Sequence, residues 1–264
     1  MAKSVSGTQR KGKAPQATGV RRGRPASAVR TGAARANAAA APEAAVGVAA
    51  VNRALQILLA FDGESDGLPL TEISNRTGLY KSTVLRLSES FETYGFLHRG
   101  DDGLFRLGHE LIRLGELAKR MRHTSDYILS ALRRLTEQTD ESSTYYVRQG
   151  NSRLALFRVD TQRSIRDSIR AGDRMPLDRG AAGHVLQRAD QPAPTRLKER
   201  FEPTISLGER DPELAAIAAP VYVGDVLEGA ITISGPRTRF TDARLKALSK
   251  ILSEACAELS KRIS

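Results

Sequence analysis

From Val51 to Phe61 the apolar residues fall at Val51, Ala54, Leu55, Leu58, Leu59 and Phe61, a spacing that predicts an amphipathic helix. The polar, glycine-bearing stretch 62–67 predicts a loop. Residues 70–87 then carry two helical patterns about Gly78. Thr71 stands where it can cap the first, Ile73 faces inward, and Ser74 is small enough for two helices to cross closely. Gly78 suits the turn because a positive φ costs it little. Leu79, Val84, Leu87 and Phe91 return to the same core. This is the spacing of a helix-turn-helix. Residues 96–99 and 104–107 are short apolar runs around Gly100-Asp101-Asp102-Gly103 and predict a β-hairpin, which after such a helix is a wing. Residues 108–121 place Leu111, Ile112, Leu114, Leu117, Ala118 and Met121 on one broad face. That face suits either a partner helix or its own domain.

The second half reads as helix, strands, helix, strands, helix. Ile128, Leu129, Leu132 and Leu135 predict a helix over 127–139. Residues 142–148 and 153–159 predict a hairpin turning at Gly150-Asn151, and 164–170 a third strand. Residues 181–188 look helical. Residues 216–222 and 228–234, parted by Gly224-Asp225, predict a second hairpin. Thr241 caps a final helix with a stripe of Leu245, Leu248, Ile251, Leu252, Ala255, Cys256 and Leu259. The order predicts an α+β domain with an antiparallel sheet. Cys256, the single cysteine, sits in that stripe and reads as core.

Length and charge refine this picture. At 264 residues the chain fits about two domains, and its net charge is +11. The excess is concentrated: residues 1–50 carry nine Lys and Arg against Glu43 alone. That segment has almost no large apolar side chains, so it predicts a disordered basic tail. It reads as a solvated linker or as a nucleic-acid arm. Arg22-Gly23-Arg24-Pro25 resembles the core of an AT-hook, whose arginines enter a narrow A·T-rich minor groove. An Arg-rich transit peptide has the same composition. Gly7–Lys13 is a chance approach to a phosphate loop, since Ala14 stands where the magnesium-binding hydroxyl belongs.

Other chemistries find little support. One cysteine excludes an internal disulfide framework and a multi-cysteine zinc site. His98, His109, His123 and His184 are too scattered for a local metal site. No GxSxG, HExxH or GxGxxG occurs, so no catalytic residue, metal or cofactor is expected and the chain is not read as an enzyme. No apolar run reaches membrane-spanning length, and no compact apolar run follows the basic start as in a secretory signal. A cytoplasmic, nucleoid-associated protein is expected. By contrast, the second helix of the helix-turn-helix exposes Tyr80, Lys81, Ser82, Thr83 and Arg86 opposite its core stripe. Basic and hydroxyl groups near a helix start suit phosphates and base edges in a major groove. An ordinary hairpin with a solvated face is the plain alternative. Arg99 and Arg106 of the wing suit a phosphate or the minor groove, or simply a solvated strand.

These residues resemble the IclR family of bacterial transcriptional regulators. The resemblance rests on Ala54-Leu55-Gln56-Ile57, Leu70-Thr71-Glu72-Ile73, Thr77-Gly78-Leu79, Lys81-Ser82-Thr83-Val84, Arg86-Leu87, Gly95-Phe96-Leu97 and Leu107-Gly108. It continues through Met175-Pro176-Leu177, Ala182-Gly183, Ile217-Ala218-Ala219-Pro220, Gly229-Ala230 and Ile233-Ser234-Gly235-Pro236. The resemblance implies a tail (1–48), a winged helix-turn-helix domain (49–108), a linker helix (109–122) and a GAF-like effector domain (123–264). It implies double-stranded DNA and a small organic or aromatic carboxylate effector as partners, and a homodimer or dimer of dimers. On the DNA side the expected residues are Thr71, Tyr80, Lys81, Ser82, Thr83, Arg86, Arg99 and Arg106, and the AT-hook-like core of the tail adds Arg22 and Arg24. On the effector side the resemblance implies Ala181 and Ala182, whose free amides at a helix start favour a carboxylate, with Glu209, Ala216, Thr232 and Ser234. Thr232 and Ser234 could equally satisfy nearby backbone, and Glu209 could equally form a surface salt bridge. The chain departs from the family at Asp178-Arg179-Gly180 and His184. The shortened 189–216 stretch also departs and is expected to lack a helix. Both departures touch the pocket and imply an unusual effector or a collapsed site. The alternative function is a nucleoid-type architectural binder dominated by the tail; a third is a winged module that contacts protein.

Overall fold

A computed structural model describes residues 47–121 and 124–264 of the chain. The tail, with Arg22 and Arg24, lies outside the described residues. Three helices open the fold: α1 (Ala49–Leu59), α2 (Leu70–Thr77) and α3 (Lys81–Thr93). A two-stranded hairpin follows, β1 (Leu97–Arg99) antiparallel to β2 (Phe105–Leu107). Ile57, Leu68, Ile73, Val84, Leu97 and Phe105 form its core, so the helices and the hairpin share one apolar centre.

Local chemistry sets the joints. Gly78 ends α2 in the left-handed conformation (φ 70°) and its amide donates to the Ser74 carbonyl. Ser74 Oγ in turn donates to the Leu79 carbonyl at 2.6 Å, tying the turn across the helix crossing. Arg76 fastens α2 to the end of α1 by donating to the Ala60 carbonyl (2.9 Å) and Asp62 (2.5 Å). The expected Thr71 cap does not form. Pro69 holds the cap position with an extended backbone, Leu70 is already helical, and Thr71 is exposed in the first turn. Proline's fixed φ suits that entry, and its carbonyl accepts from the Glu72 and Ile73 amides. Gly108 joins the hairpin to α4 (His109–Met121), where a Cβ would lie 2.0 Å from the Gly95 carbonyl oxygen.

The second half begins with α5 (Thr124–Thr139) and builds a six-stranded antiparallel sheet. Its strands are β3 (Ser142–Gln149), β4 (Ser152–Val159), β5 (Arg174–Pro176), β6 (Thr204–Leu207), β7 (Leu214–Val223) and β8 (Val226–Pro236). They lie in the order β5-β4-β3-β8-β7-β6. Strand periodicity decides which side chains meet which layer. Ile217, Ala219, Val221, Ile231 and Ile233 pack with Leu132 and Leu135 of α5 and with Leu245, Leu248 and Leu252 of α8 (Asp242–Ile263). Ala218, Ala230 and Tyr146 face the other way, against Ala181, Val185 and Leu186 of α6 (Ala181–Leu186). The sheet thus carries long helices on one face and a short helix with loops on the other. Cys256 is buried in the first layer, where burial pushes its thiol far up and removes reactivity. The Thr241 cap forms as expected, its hydroxyl accepting from the Arg244 amide at 3.3 Å.

Two expectations fail here. Residues 164–170 form no strand. The edge of β4 is instead taken by β5 and by the turn before it, where the Ala155 amide donates to the Asp173 carbonyl and the Gly172 amide to the Ala155 carbonyl. The segment is held by side chains, among them Arg239 donating to the Ile165 carbonyl. The 189–216 stretch does contain a helix, the single turn α7 (Leu197–Arg200), before β6. Among the described residues no helix is long and apolar enough to cross a membrane.

Candidate nucleic-acid interface and ligand cavity

α3 presents its first turn to solvent. Tyr80, at the N-cap, is 85% exposed, Lys81, Ser82 and Arg86 are exposed, and Thr83 is half-buried. Val84 and Ser88 point inward and fix the rotation of the helix. Neither Lys81 nor Arg86 has an ion-pair partner among the described residues, so both cations remain available. The wing arginines differ. Arg106 is bound to Asp66 (3.0 Å) and Asp102 (2.7 Å), and these acids hold its pKa above the ordinary value. In return Arg106 draws Asp102 down to about 2. Arg99 is exposed, stacked 5.2 Å from the Phe105 ring centroid. Thr71 is exposed at the start of α2.

On the short-helix face of the sheet lies a cavity of about 40 Å³. Ala181, Ala182, Glu209, Ala216, Thr232 and Ser234 all line it, brought together from α6, the β6–β7 turn, β7 and β8. The register explains part of this: Ala216 pairs with Ser234, and Ala218 with Thr232. The cavity is smaller than the ~150 Å³ that accommodates an aromatic ring.

The chain's own carboxylates already occupy two places. Glu209 Oε2 accepts from the Gly180 amide at 2.8 Å and lies 2.7 Å from His184 Nε2. The Gly180 amide chiefly, and His184 next, hold Glu209 below the usual carboxylate range. The Gly180 amide, at the N-cap of α6, is therefore taken by an internal acid. Asp167, fully buried, pairs with Arg158 and accepts from Ser234 Oγ at 2.5 Å, with Arg210 3.9 Å away. Ser234 is thus spoken for by a side chain, not by backbone. Thr232 Oγ1 is buried with no hydrogen-bond partner among the described residues.

Sequence reasoning missed Arg153, Asp167, Tyr146 and Arg158. Arg153 is buried on β4, donating to the Pro176 and Arg179 carbonyls, and its guanidinium lies 5.6 Å from the Tyr146 ring centroid. Burial pulls its pKa down. Burial also pushes the Tyr146 phenol up to about 12, so it keeps its proton at neutral pH. One signal was available. Arg153 shares strand parity with Ala155, both buried, between the half-buried Ser152, Leu154 and Leu156. Among the described residues no group of three or more His, Cys, Asp or Glu side chains is placed to hold a metal ion.

Comparison with known proteins bears on both halves. A profile of the IclR helix-turn-helix domain matches residues 50–101, and one of the bacterial transcriptional regulator IclR C-terminal domain matches residues 202–261. HTH-type transcriptional regulator BhcR of Paracoccus denitrificans is 31% identical over 252 residues, which span 81% of this chain and 87% of that protein. An IclR transcriptional regulator from Silicibacter sp. superposes with a TM-score of 0.72 at 21% identity, covering 81% of this chain and 96% of that one. An IclR homolog from Microbacterium hydrocarbonoxydans, solved in complex with 4-hydroxybenzoate, superposes with a TM-score of 0.65 at 21% identity. It covers 81% of this chain and 98% of that one.

Proposed function

The chain belongs to the IclR family of bacterial transcriptional regulators, carrying a DNA-binding helix-turn-helix and a C-terminal ligand-binding domain, and from that premise we propose that α3 reads a specific operator whose affinity a small carboxylate controls. The observation that carries the DNA half is the exposed face of the first two turns of α3, where Lys81 and Arg86 have no ion-pair partner among the described residues while Arg76 and Arg106 are committed elsewhere. Lys81, Ser82 and Thr83 meet phosphates, Tyr80 and Arg86 meet base edges, and Thr71 supports them from the start of α2. Arg99 is the wing contact; Arg106 contributes less directly, because two acids neutralise it. Residues 1–48, with Arg22 and Arg24, add phosphate contacts without sequence preference.

The effector enters the cavity lined by Ala181, Ala182, Glu209, Ala216, Thr232 and Ser234. The related Microbacterium protein, bound to 4-hydroxybenzoate, supports an organic acid as the ligand class. The 40 Å³ space supports an acid smaller than that, or a site that enlarges on binding. The active species is a homodimer or dimer of dimers in the cytoplasm. Supporting it, Val51 and Leu55 of α1 and Ile112 and Leu114 of α4 are large apolar side chains left exposed.

Selection of genomic fragments by the full chain, with Arg86→Ala as control, tests the DNA half. A recurrent inverted repeat, lost in the control, is the expected result. Equal capture of all fragments by both proteins contradicts it. Lys81→Ala should weaken binding to every duplex alike and reduce the salt slope by about 1, whereas Arg86→Ala should cost about 1–3 kcal/mol and relax one base position.

A further inference from the structure

Charged side chains of both signs line the cavity, Arg153 and Arg210 with Asp167, Glu209 and Asp211. Arg158 pairs with the buried Asp167, and Arg210 lies 3.9 Å from the same carboxylate. Glu209 is taken up by Gly180 and His184, and Asp211 accepts from the Glu213 amide in an exposed turn. Arg153 is left. It is 4% exposed, and among the described residues it has no carboxylate within salt-bridge distance and meets the neutral Pro176 and Arg179 carbonyls, the Tyr146 ring and the Met175 sulfur. Its Nε–H is buried without a partner among the described residues, and so is the Thr232 hydroxyl on the same cavity. A buried charge without a counter-ion is costly, and so is a buried donor without an acceptor. A bound anion relieves both.

The fold is shaped to keep this side chain in place. A Cβ on Gly183 would lie 2.6 Å from an Arg153 terminal nitrogen and 2.4 Å from the Leu177 carbonyl oxygen. A Cβ on Gly180 would lie 3.1 Å from the other terminal nitrogen. Two glycines therefore let α6 close over the guanidinium.

We propose that Arg153 is the charge partner of the effector carboxylate in this chain, with the Thr232 hydroxyl as a second donor, the Gly180 amide before α6 being taken by Glu209. The proposal rests on the reading of the cavity as the effector site.

Thermal unfolding of the full chain tests it, using acetate, propionate, benzoate and 4-hydroxybenzoate, each beside its neutral amide. At least one carboxylate should raise the wild-type midpoint, and its amide should not. Arg153→Met should abolish that rise, and Arg153→Lys, which keeps the charge, should retain a weakened one. Ala216→Leu, which fills the cavity from β7, should abolish it too. A carboxylate rise retained in Arg153→Met but lost in Ala216→Leu overturns the anchor and leaves the cavity reading standing. A rise retained in both, or absent from the wild type with every probe, overturns the cavity reading and the anchor with it. If Arg153→Met does not fold, Arg153→Lys decides through titration: an affinity unchanged from wild type, or equal shifts by the amides, overturns the proposal.

Discussion

Single residues in this chain are held by close approach and by buried charge, and each makes a separate prediction. Gly108 allows the wing and α4 to meet, since a Cβ there would lie 2.0 Å from a backbone oxygen that cannot swing away. Gly108→Ala should therefore lower the unfolding midpoint of the N-terminal half, whereas Gly115→Ala, where nothing lies within 4 Å, should not. Arg158 and Asp167 are a buried pair, with side chains 3% and 0% exposed. Arg158→Met leaves Asp167 charged and buried, assisted only by Ser234 and the more distant Arg210. Denaturant unfolding should show a loss of about 3 kcal/mol. The apolar spacing made Ile73, Val84 and the α8 stripe legible in the sequence, because periodicity reports which face is buried. It could not reveal Asp167, which reaches the cavity from an irregular segment and is defined by partners on β4 and β8, or Arg153, whose burial depends on glycines about 30 residues further along the chain.

Elements were legible where a local pattern and a local stop agreed. The helix-turn-helix emerges at its expected place because Gly78 ends α2 while Leu79 and Val84 resume the same apolar stripe. Residues 164–170 misled because alternating burial of Asp167 and Ile169 imitates a strand, while the backbone partner it needs is taken by residues 172–176. Caps divide in the same way. Thr241→Ala should cost about 1 kcal/mol, because that hydroxyl meets an α8 amide. Thr71→Ala should leave stability almost unchanged. In the wing, Asp102 accepts from Arg106 and from the Leu104 amide, so its folded pKa is depressed to about 2. The sign follows: the ion pair's support is present above the ordinary Asp value and is lost as pH falls through about 2. Carboxyl NMR should show that titration in the wild type and a rise toward the ordinary value in Arg106→Ala.

At the scale of the whole molecule, the chain joins a surface with unpaired cations to a cavity with an unpaired cation. The first suits DNA and the second a small acid. Regulation requires that the two sites share free energy: the acid must bind the DNA-competent and DNA-incompetent states with different affinity. Couplings of this kind typically amount to 1–3 kcal/mol, or roughly 5–150-fold in affinity. The most direct measurement is the Kd of the full chain for its selected operator, with and without a saturating amount of the carboxylate that most stabilises it. A change of that order, absent in Arg153→Met, is predicted. An operator Kd unmoved by a carboxylate that demonstrably fills the cavity would contradict the account.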